Sequence, residues 1–298
     1  MQKIKNISII LSFVSLWLTS LLPVESELLI GYFLILSFGI LHGANDLLIL
    51  GQISKSLTKK GFIKELIIYI IAVFLGVIAF YFFPLVALIL FILSSAYHFG
   101  QQHWEHQNLF KDDLNNKINF FLYGLLVLMI LFYANKAEVI EIVEQITMNK
   151  ISSKFINNWM IITAILYVGL CLYGTILKKI RYINYFKEIL YIAVLTVIFK
   201  VADVIWGFAI YFIFWHSIPS LYEQIIFIYK EMNTANFLKY CKNALPYWLL
   251  SIIGITVLYY LLDDSRLFNA VLFAFIAAVT FPHTIVIDQL FKNKKAQS

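Results

Sequence analysis

The sequence predicts an all-α fold, a polytopic membrane helix bundle of about 8 to 10 transmembrane helices. Of its 298 residues, 61% are hydrophobic and 13% are charged, against roughly 45–50% and 25% in a soluble domain. Its charges cluster between apolar runs that approach the roughly 20 residues needed to cross a bilayer. The ten-residue alternation of a membrane β-barrel is absent. This composition argues against a soluble enzyme, a nucleic-acid partner and a disordered regulator.

Ten apolar segments qualify as spans, and we interpret residues 1–298 as a single integral-membrane domain. The segments are 6–22, 27–50, 65–83, 84–103, 117–133, 156–177, 186–201, 203–229, 245–262 and 267–291. Pro84 separates the third from the fourth, and residues 200–203 separate the seventh from the eighth, so eight or nine spans remain possible. The basic, apolar N-terminus lacks a small-residue cleavage site, and we interpret it as the first span.

The distribution of basic residues predicts the orientation of the chain in a cell membrane. With the N-terminus inside, 18 of the 23 Lys and Arg residues fall in inner loops of the ten-span arrangement. Cytoplasmic loops of membrane proteins carry such an excess of Lys and Arg. We therefore expect a multi-pass protein with both termini cytoplasmic.

Histidines inside the spans are the strongest sign of chemistry in the sequence. An ionisable group within hydrocarbon is costly unless it has a partner, so it is a candidate functional residue. Four of the six histidines lie within predicted spans that run in the same direction: His42, His98, His216 and His283. They follow the outer ends of their spans by 15, 14, 13 and 16 residues, a scatter of about 4.5 Å in depth at 1.5 Å per residue. Four imidazoles at one level could converge on one metal ion.

Neutral imidazoles suit iron, copper, zinc or nickel, and a redox metal with open positions for oxygen is a plausible occupant. The two cysteines, Cys171 and Cys241, lack CxxC spacing and indicate neither a disulfide nor a thiolate metal site.

Nearby polar residues are candidates to orient the histidines. A metal-bound histidine usually donates its other N–H to an acceptor, and Asp46 follows His42 by four residues. Glu223, seven residues after His216, and Asp288 are weaker candidates. We interpret His103 and His106 as solvated residues at the membrane interface.

The histidine blocks resemble a known family. HGANDLLIL at His42, AYHFGQQHW at His98, FWHSIPSL at His216 and FPHTIVIDQL at His283 are similar, in order and spacing, to the membrane-integral Brp/Blh family of β-carotene 15,15′-dioxygenases. The likeness runs from about residue 38 to residue 291.

The resemblance implies an iron(II) enzyme that uses O₂ to cleave β-carotene centrally into two molecules of all-trans-retinal. His42, His98 and His216 match histidines thought to bind iron in the family. The family's first block often reads HGxxDH, where this chain has Leu47, and its third often has a second histidine where this chain has Ser220. The fourth ligand is therefore open between His283, chosen for its depth, and a three-histidine site completed by water or a carboxylate.

Other classes remain open at this stage. A haem-binding membrane cytochrome also uses histidines on facing helices, although four histidines at one depth fit two haems poorly. A membrane di-iron hydroxylase would need more histidines than the six present. A non-enzymatic carotenoid or lipid carrier, or a transporter, would also hold polar residues in its spans, but the internal repeat of many transporters is absent. The sequence leaves the oligomeric state unknown.

Overall fold

The computed structural model describes residues 2–53, 59–105, 109–110, 112–177, 182–261 and 265–297. Within these ranges every regular element is helical, which confirms the predicted all-α class. The elements, in chain order, are α1 (Gln2–Thr19), α2 (Val24–Leu34), the π-helical turn π1 (Ile35–Gly39), α3 (Ile40–Gly43), α4 (Asp46–Ile53), α5 (Lys59–Phe82), α6 (Pro84–Trp104), α7 (Asp113–Ala134), α8 (Lys136–Thr147), α9 (Ser153–Ile176), α10 (Tyr182–Val201), α11 (Val204–Ile210), the π-helical turn π2 (Tyr211–Ser217), α12 (Ile218–Tyr229), α13 (Thr234–Leu261) and α14 (Ser265–Gln297).

Seven helical segments in the described ranges are long and apolar enough to span a membrane: Ser26–Ile53, Ile63–Phe82, Pro84–Trp104, Asp113–Ala134, Ser153–Ile176, Val204–Tyr229 and Val271–Lys294. They confirm seven of the predicted segments as apolar helices of spanning length. The three others, 6–22, 186–201 and 245–262, overlap α1, α10 and α13, and their crossing of the membrane stays a prediction. The side on which the termini lie also stays a prediction.

The chain forms two compact units, each made of several stretches of sequence. The first comprises residues 1–35, 95–144 and 150–219, and the second comprises residues 36–94, 145–149 and 220–298. The division does not test the expected single membrane domain, which stays a prediction.

In the first unit, α7 packs against α9 and α10, and α11 packs against α2. Two glycines bring α6 and α7 into backbone contact. A Cβ atom at Gly100 would lie 1.7 Å from the carbonyl oxygen of Phe120, and one at Gly124 would lie 1.9 Å from that of Ala96. Small residues permit such close helix approach in membranes. The contact fixes the C-terminal half of α6, which carries His98.

In the second unit, α14 packs against α4 and α5, and α13 contacts α3. An apolar cluster lies among α4, α12 and α14, where Ile49, Ile225, Leu290 and Ile287 are at most 1% exposed. The opposite face of α5 is open, since Phe74 and Tyr81 are 64% and 80% exposed. An apolar face of this kind suits contact with lipid acyl chains.

We predict that Gly100→Ala and Gly124→Ala each destabilise the protein by at least about 1–3 kcal/mol, the usual cost of overpacking a tight contact. The added methyl group would overlap a carbonyl of the neighbouring helix, which cannot move without separating α6 from α7. Thermal unfolding of the detergent-solubilised protein measures the effect. Gly169→Ala on α9 is the matched control, because a Cβ there meets nothing within 4 Å. An equal stability of all three variants would contradict the prediction.

Candidate metal centre

In the first unit, His98 and His216 form a buried pair of rings. Each residue is 1% exposed, and their ring centroids lie 4.7 Å apart in an edge-to-face arrangement. Phe99 packs 4.6 Å from the His216 ring, and Phe212 stacks on that ring at an interplanar angle of 9°. Aromatic carbon therefore encloses the pair within this unit, which limits the access of water to the imidazoles.

His216 lies in π2, a widened turn between α11 and α12. π-Helical turns are rare in proteins overall, and those that do occur are often found at functional sites. Asp203 begins the preceding helix, since its carboxylate accepts the N–H of Trp206 at 2.8 Å. The widened turn changes the direction in which each later side chain points. It is therefore part of what orients the His216 ring.

In the second unit, His42 and His283 form a second buried pair. They are 4% and 3% exposed, and their ring centroids lie 4.8 Å apart at 88°. The His283 ring packs directly against Gly43, where an added Cβ atom would be in ordinary van der Waals contact, 3.5 Å from Nδ1. His42 follows π1, the other widened turn. Both π-helical turns of the described chain thus precede or contain one of the four predicted histidines.

The Asp46 carboxylate contacts His283, and Asp46 does not share one continuous helix with His42. Its Oδ1 lies 2.8 Å from His283 Nδ1, and its Oδ2 accepts a hydrogen bond from the Tyr69 hydroxyl at 3.0 Å. The carboxylate is therefore a hydrogen-bond acceptor for an Nδ1–H of His283, and this tautomer leaves the Nε2 lone pair available to a metal. The sequence placed Asp46 beside His42 through a continuous helix. In the structure α3 ends at Gly43 and α4 begins at Asp46, so that spacing does not apply.

A buried polar network supports the backbone at His42. The Tyr240 hydroxyl lies 2.7 Å from Oε1 of Gln224 and 3.2 Å from the His42 carbonyl oxygen. Gln224 in turn donates to the Ser220 hydroxyl at 3.0 Å, and Asn45 donates to the Tyr240 carbonyl at 3.0 Å. Burial holds the pKa of Tyr240 well above its usual value, so this phenol stays protonated and acts as a donor. Ser220, at the position where the family often has histidine, belongs to this network.

Two other predicted carboxylates pair with lysines. Glu223 is 4% exposed, and its Oε2 lies 3.7 Å from Lys294 Nζ. Asp288 pairs with Lys292 one turn along α14 at 2.5 Å. Neither ion pair involves a histidine, and a role of Glu223 in orienting a metal ligand stays a prediction.

His103 is not the solvated interfacial residue that the sequence suggested. Its Nε2 lies 2.5 Å from Glu188 Oε2 and 3.1 Å from Lys5 Nζ. Its ring stacks on Tyr123 with centroids 4.4 Å apart. Lys5 and Glu188 are far from His103 in sequence, so spacing could not reveal the cluster. His106 lies outside the described residues.

Three of the buried histidines, His42, His98 and His283, could serve as ligands of a metal ion. His216 contacts His98 and is the fourth candidate. Imidazole nitrogens of this kind bind iron, copper, zinc and nickel.

A sequence profile of one protein family, described as beta-carotene 15,15′-dioxygenase, matches residues 33–291. The chain belongs to this family. The dioxygenase profile covers all four buried histidines and leaves residues 1–32 outside. No curated protein and no solved structure matches the chain. Membership in the dioxygenase family confirms the resemblance drawn from the histidine blocks, and it implies a carotenoid substrate.

Sequence reasoning identified the histidines and Asp46 but missed Tyr69, Gln224 and Tyr240. Tyr69 and Tyr240 are two of 18 tyrosines, and their partners come from distant helices. A weak signal existed in Gln224, an amide beside the third histidine block. The contacts of Tyr69 and Tyr240 depend on how distant helices pack, which the sequence alone does not give.

We predict that Tyr240→Phe destabilises the protein by about 1–3 kcal/mol, because it leaves the buried Gln224 amide oxygen without its donor. Thermal unfolding in detergent measures the loss. Tyr247→Phe on the same helix is the matched control, since Tyr247 is 36% exposed. A loss of the same size in both variants would contradict the role given to the buried network.

Proposed function

We propose that this protein cleaves the central double bond of β-carotene with O₂ to give two molecules of all-trans-retinal. In this proposal His42, His98, His216 and His283 together hold one non-haem Fe²⁺. The observation that carries it is the burial of all four histidines, at 1–4% exposure, inside the segment matched by the dioxygenase family.

The donor set suits a ferrous ion. Four neutral imidazoles bind iron without adding negative charge, and fewer than six protein ligands leave positions open for O₂. When bound, iron supplies the redox chemistry that allows O₂ to react with a carbon–carbon double bond.

Asp46 sets the proton on His283. By accepting a hydrogen bond from Nδ1 it leaves Nε2 deprotonated, the form that binds a metal. Tyr69 donates to the second carboxylate oxygen and so fixes the carboxylate in turn. Asp46 and Tyr69 together therefore fix the tautomer of the His283 ring before a metal binds.

Aromatic side chains beside His216 give the first unit an apolar wall. Phe99 and Tyr211 pack together at 5.5 Å between ring centroids, and Phe208 stacks on Phe212 at 5.2 Å. Apolar and aromatic walls select an apolar ligand and exclude water. A rigid polyene held against such walls would be positioned for reaction at one bond.

The buried carboxylate contact of His283 favours a metal site over a non-enzymatic carotenoid carrier, and the dioxygenase family match favours a non-haem site over a haem-binding cytochrome. A carrier has no need of histidines whose tautomer is set for a metal. In the proposed role the protein is a multi-pass cell-membrane enzyme with cytoplasmic termini and takes its substrate from membrane lipid.

The first test is retinal production in bacterial cells that accumulate β-carotene. We expect the intact chain to deplete β-carotene and form retinal, measured by chromatography of extracted pigments. His42→Ala and His216→Ala should lower retinal by at least about 10-fold, since ligand loss removes more than the 10- to 100-fold effects of mutating a ligand's own partners.

Cys171→Ala is the control for expression, because Cys171 on α9 is remote in sequence from every histidine block. The amount of membrane-inserted protein is measured for each variant. Unchanged β-carotene beside well-inserted, iron-loaded protein would overturn the proposed substrate. Strong Soret absorbance of the purified protein would favour the cytochrome instead.

A second prediction concerns the carboxylate at His283. Asp46→Asn should weaken Fe²⁺ or Co²⁺ binding about 10- to 100-fold, the usual effect of losing such a partner. Tyr69→Phe should have a smaller effect, because the carboxylate remains. Metal titration of the purified protein measures both.

Asp288→Asn is the contrast, since it removes a carboxylate from the same helix as His283 that pairs with Lys292. Equal metal affinity in Asp46→Asn and Asp288→Asn would contradict the assignment of Asp46.

A further inference from the structure

Helix α1 buries a polar face although it lies outside the family match. Ser8, Ser12 and Ser15 are at most 5% exposed, whereas Ile10 and Trp17 on the other faces are 62% exposed. Buried polar groups cost free energy unless they are hydrogen bonded. Their partners therefore indicate what the helix does.

Ser8 bonds a carbonyl in π2 that the helix itself does not satisfy. The N–H of Ile218 is donated to Ile213, and Pro219, the next residue, has no N–H. The Phe214 carbonyl accepts instead from the Ser8 hydroxyl at 2.5 Å. A widened turn followed by proline thus obtains its missing donor from another helix.

Ser12 holds the residue next to His216. Its hydroxyl accepts the indole N–H of Trp215 at 2.9 Å, and both side chains are buried. Together, Ser8 and Ser12 bond the two residues that immediately precede His216.

The start of α1 is fastened to the helix that carries His98. Lys5 Nζ lies 3.1 Å from His103 Nε2 and 3.8 Å from Glu188 Oε1 on α10. His103 follows His98 by five residues on α6. One helix therefore contacts both elements that carry the histidine pair of the first unit.

We propose that α1 positions the metal ligands of this unit, with Ser8 and Ser12 as the positioning residues for His216. The inference rests on the proposed function. Ser8 fixes the backbone of π2 and Ser12 fixes the adjacent indole, so the His216 ring is held in one orientation before a metal binds. Preorganised ligands bind more tightly because less freedom is lost on binding.

The test is Co²⁺ titration of the purified full-length protein, followed by visible absorption, which reports affinity and ligand geometry without turnover. Ser8 and Ser12 are each replaced by Thr and by Val, which add the same bulk but differ in the hydroxyl. We expect both Val variants to bind Co²⁺ about 3- to 10-fold more weakly than their Thr partners, with altered band shapes, as loss of one hydrogen bond implies.

Thr19→Val is the matched control on the same helix. The Thr19 hydroxyl accepts the indole N–H of Trp206 at 2.6 Å, as the Ser12 hydroxyl accepts that of Trp215. Thr19→Val removes this acceptor, and Trp206 lies ten residues before His216. We expect its Co²⁺ affinity to stay within about 2-fold of the intact chain, since a hydrogen bond remote from the ligand contributes mainly to stability.

Each outcome separates the two proposals. In one outcome the intact chain binds Co²⁺, His216→Ala lowers the Co²⁺ affinity, and the Thr and Val variants bind Co²⁺ equally well. This result would overturn the positioning role of Ser8 and Ser12 and leave the proposed metal site standing. An equal loss in Thr19→Val and in the Ser8 and Ser12 variants would make α1 a general structural support and overturn the inference. Failure of the intact chain to bind any Co²⁺ would overturn the proposed metal site and this inference with it.

Discussion

The cost of placing an imidazole in hydrocarbon is the constraint on which the rest of this structure depends. A histidine in that environment needs an acceptor, a metal or an enclosing partner. In the second unit the need is met by a charged acceptor, because Asp46 contacts His283 and is itself held by Tyr69. In the first unit His98 and His216 contact each other among aromatic rings. The surroundings of the two pairs therefore differ: a hydrogen-bonded carboxylate contacts one pair, and aromatic rings pack around the other.

The same rule applies to the backbone. A helix in lipid must satisfy its own N–H and C=O groups, and irregular turns are tolerated only where neighbouring groups replace the lost bonds. Both π-helical turns of the described chain adjoin predicted ligands. The proline after π2 removes a donor, and a serine from α1 replaces it. The π2 segment, which carries His216, therefore depends on a neighbouring helix for one of its backbone hydrogen bonds.

Much of the architecture was accessible from sequence because it follows from composition and length. Apolar runs identified seven helices of spanning length, and histidine blocks identified the family. Contacts between distant residues were not accessible. Helical spacing does not predict the partner of Asp46, because α3 ends at Gly43. The contacts of His103 with Lys5 and Glu188 are not predictable either, since both residues are remote from it in sequence. Periodicity reports one helix at a time, whereas these contacts arise from how helices pack.

The widened turn at π2 has a consequence for how such chains compare with one another. An α-helix rotates by about 100° per residue, so one additional residue in a turn changes the rotational phase of everything beyond it. For a given succession of α-helical and π-helical turns, the number of residues between Asp203, the N-cap of α11, and His216 therefore determines where the imidazole points. Within this interval a single-residue gap between related chains would redirect the His216 side chain, whereas a substitution that keeps the helix type would leave its direction unchanged. The number of residues in this interval is therefore as important for the position of the His216 ring as the residues themselves.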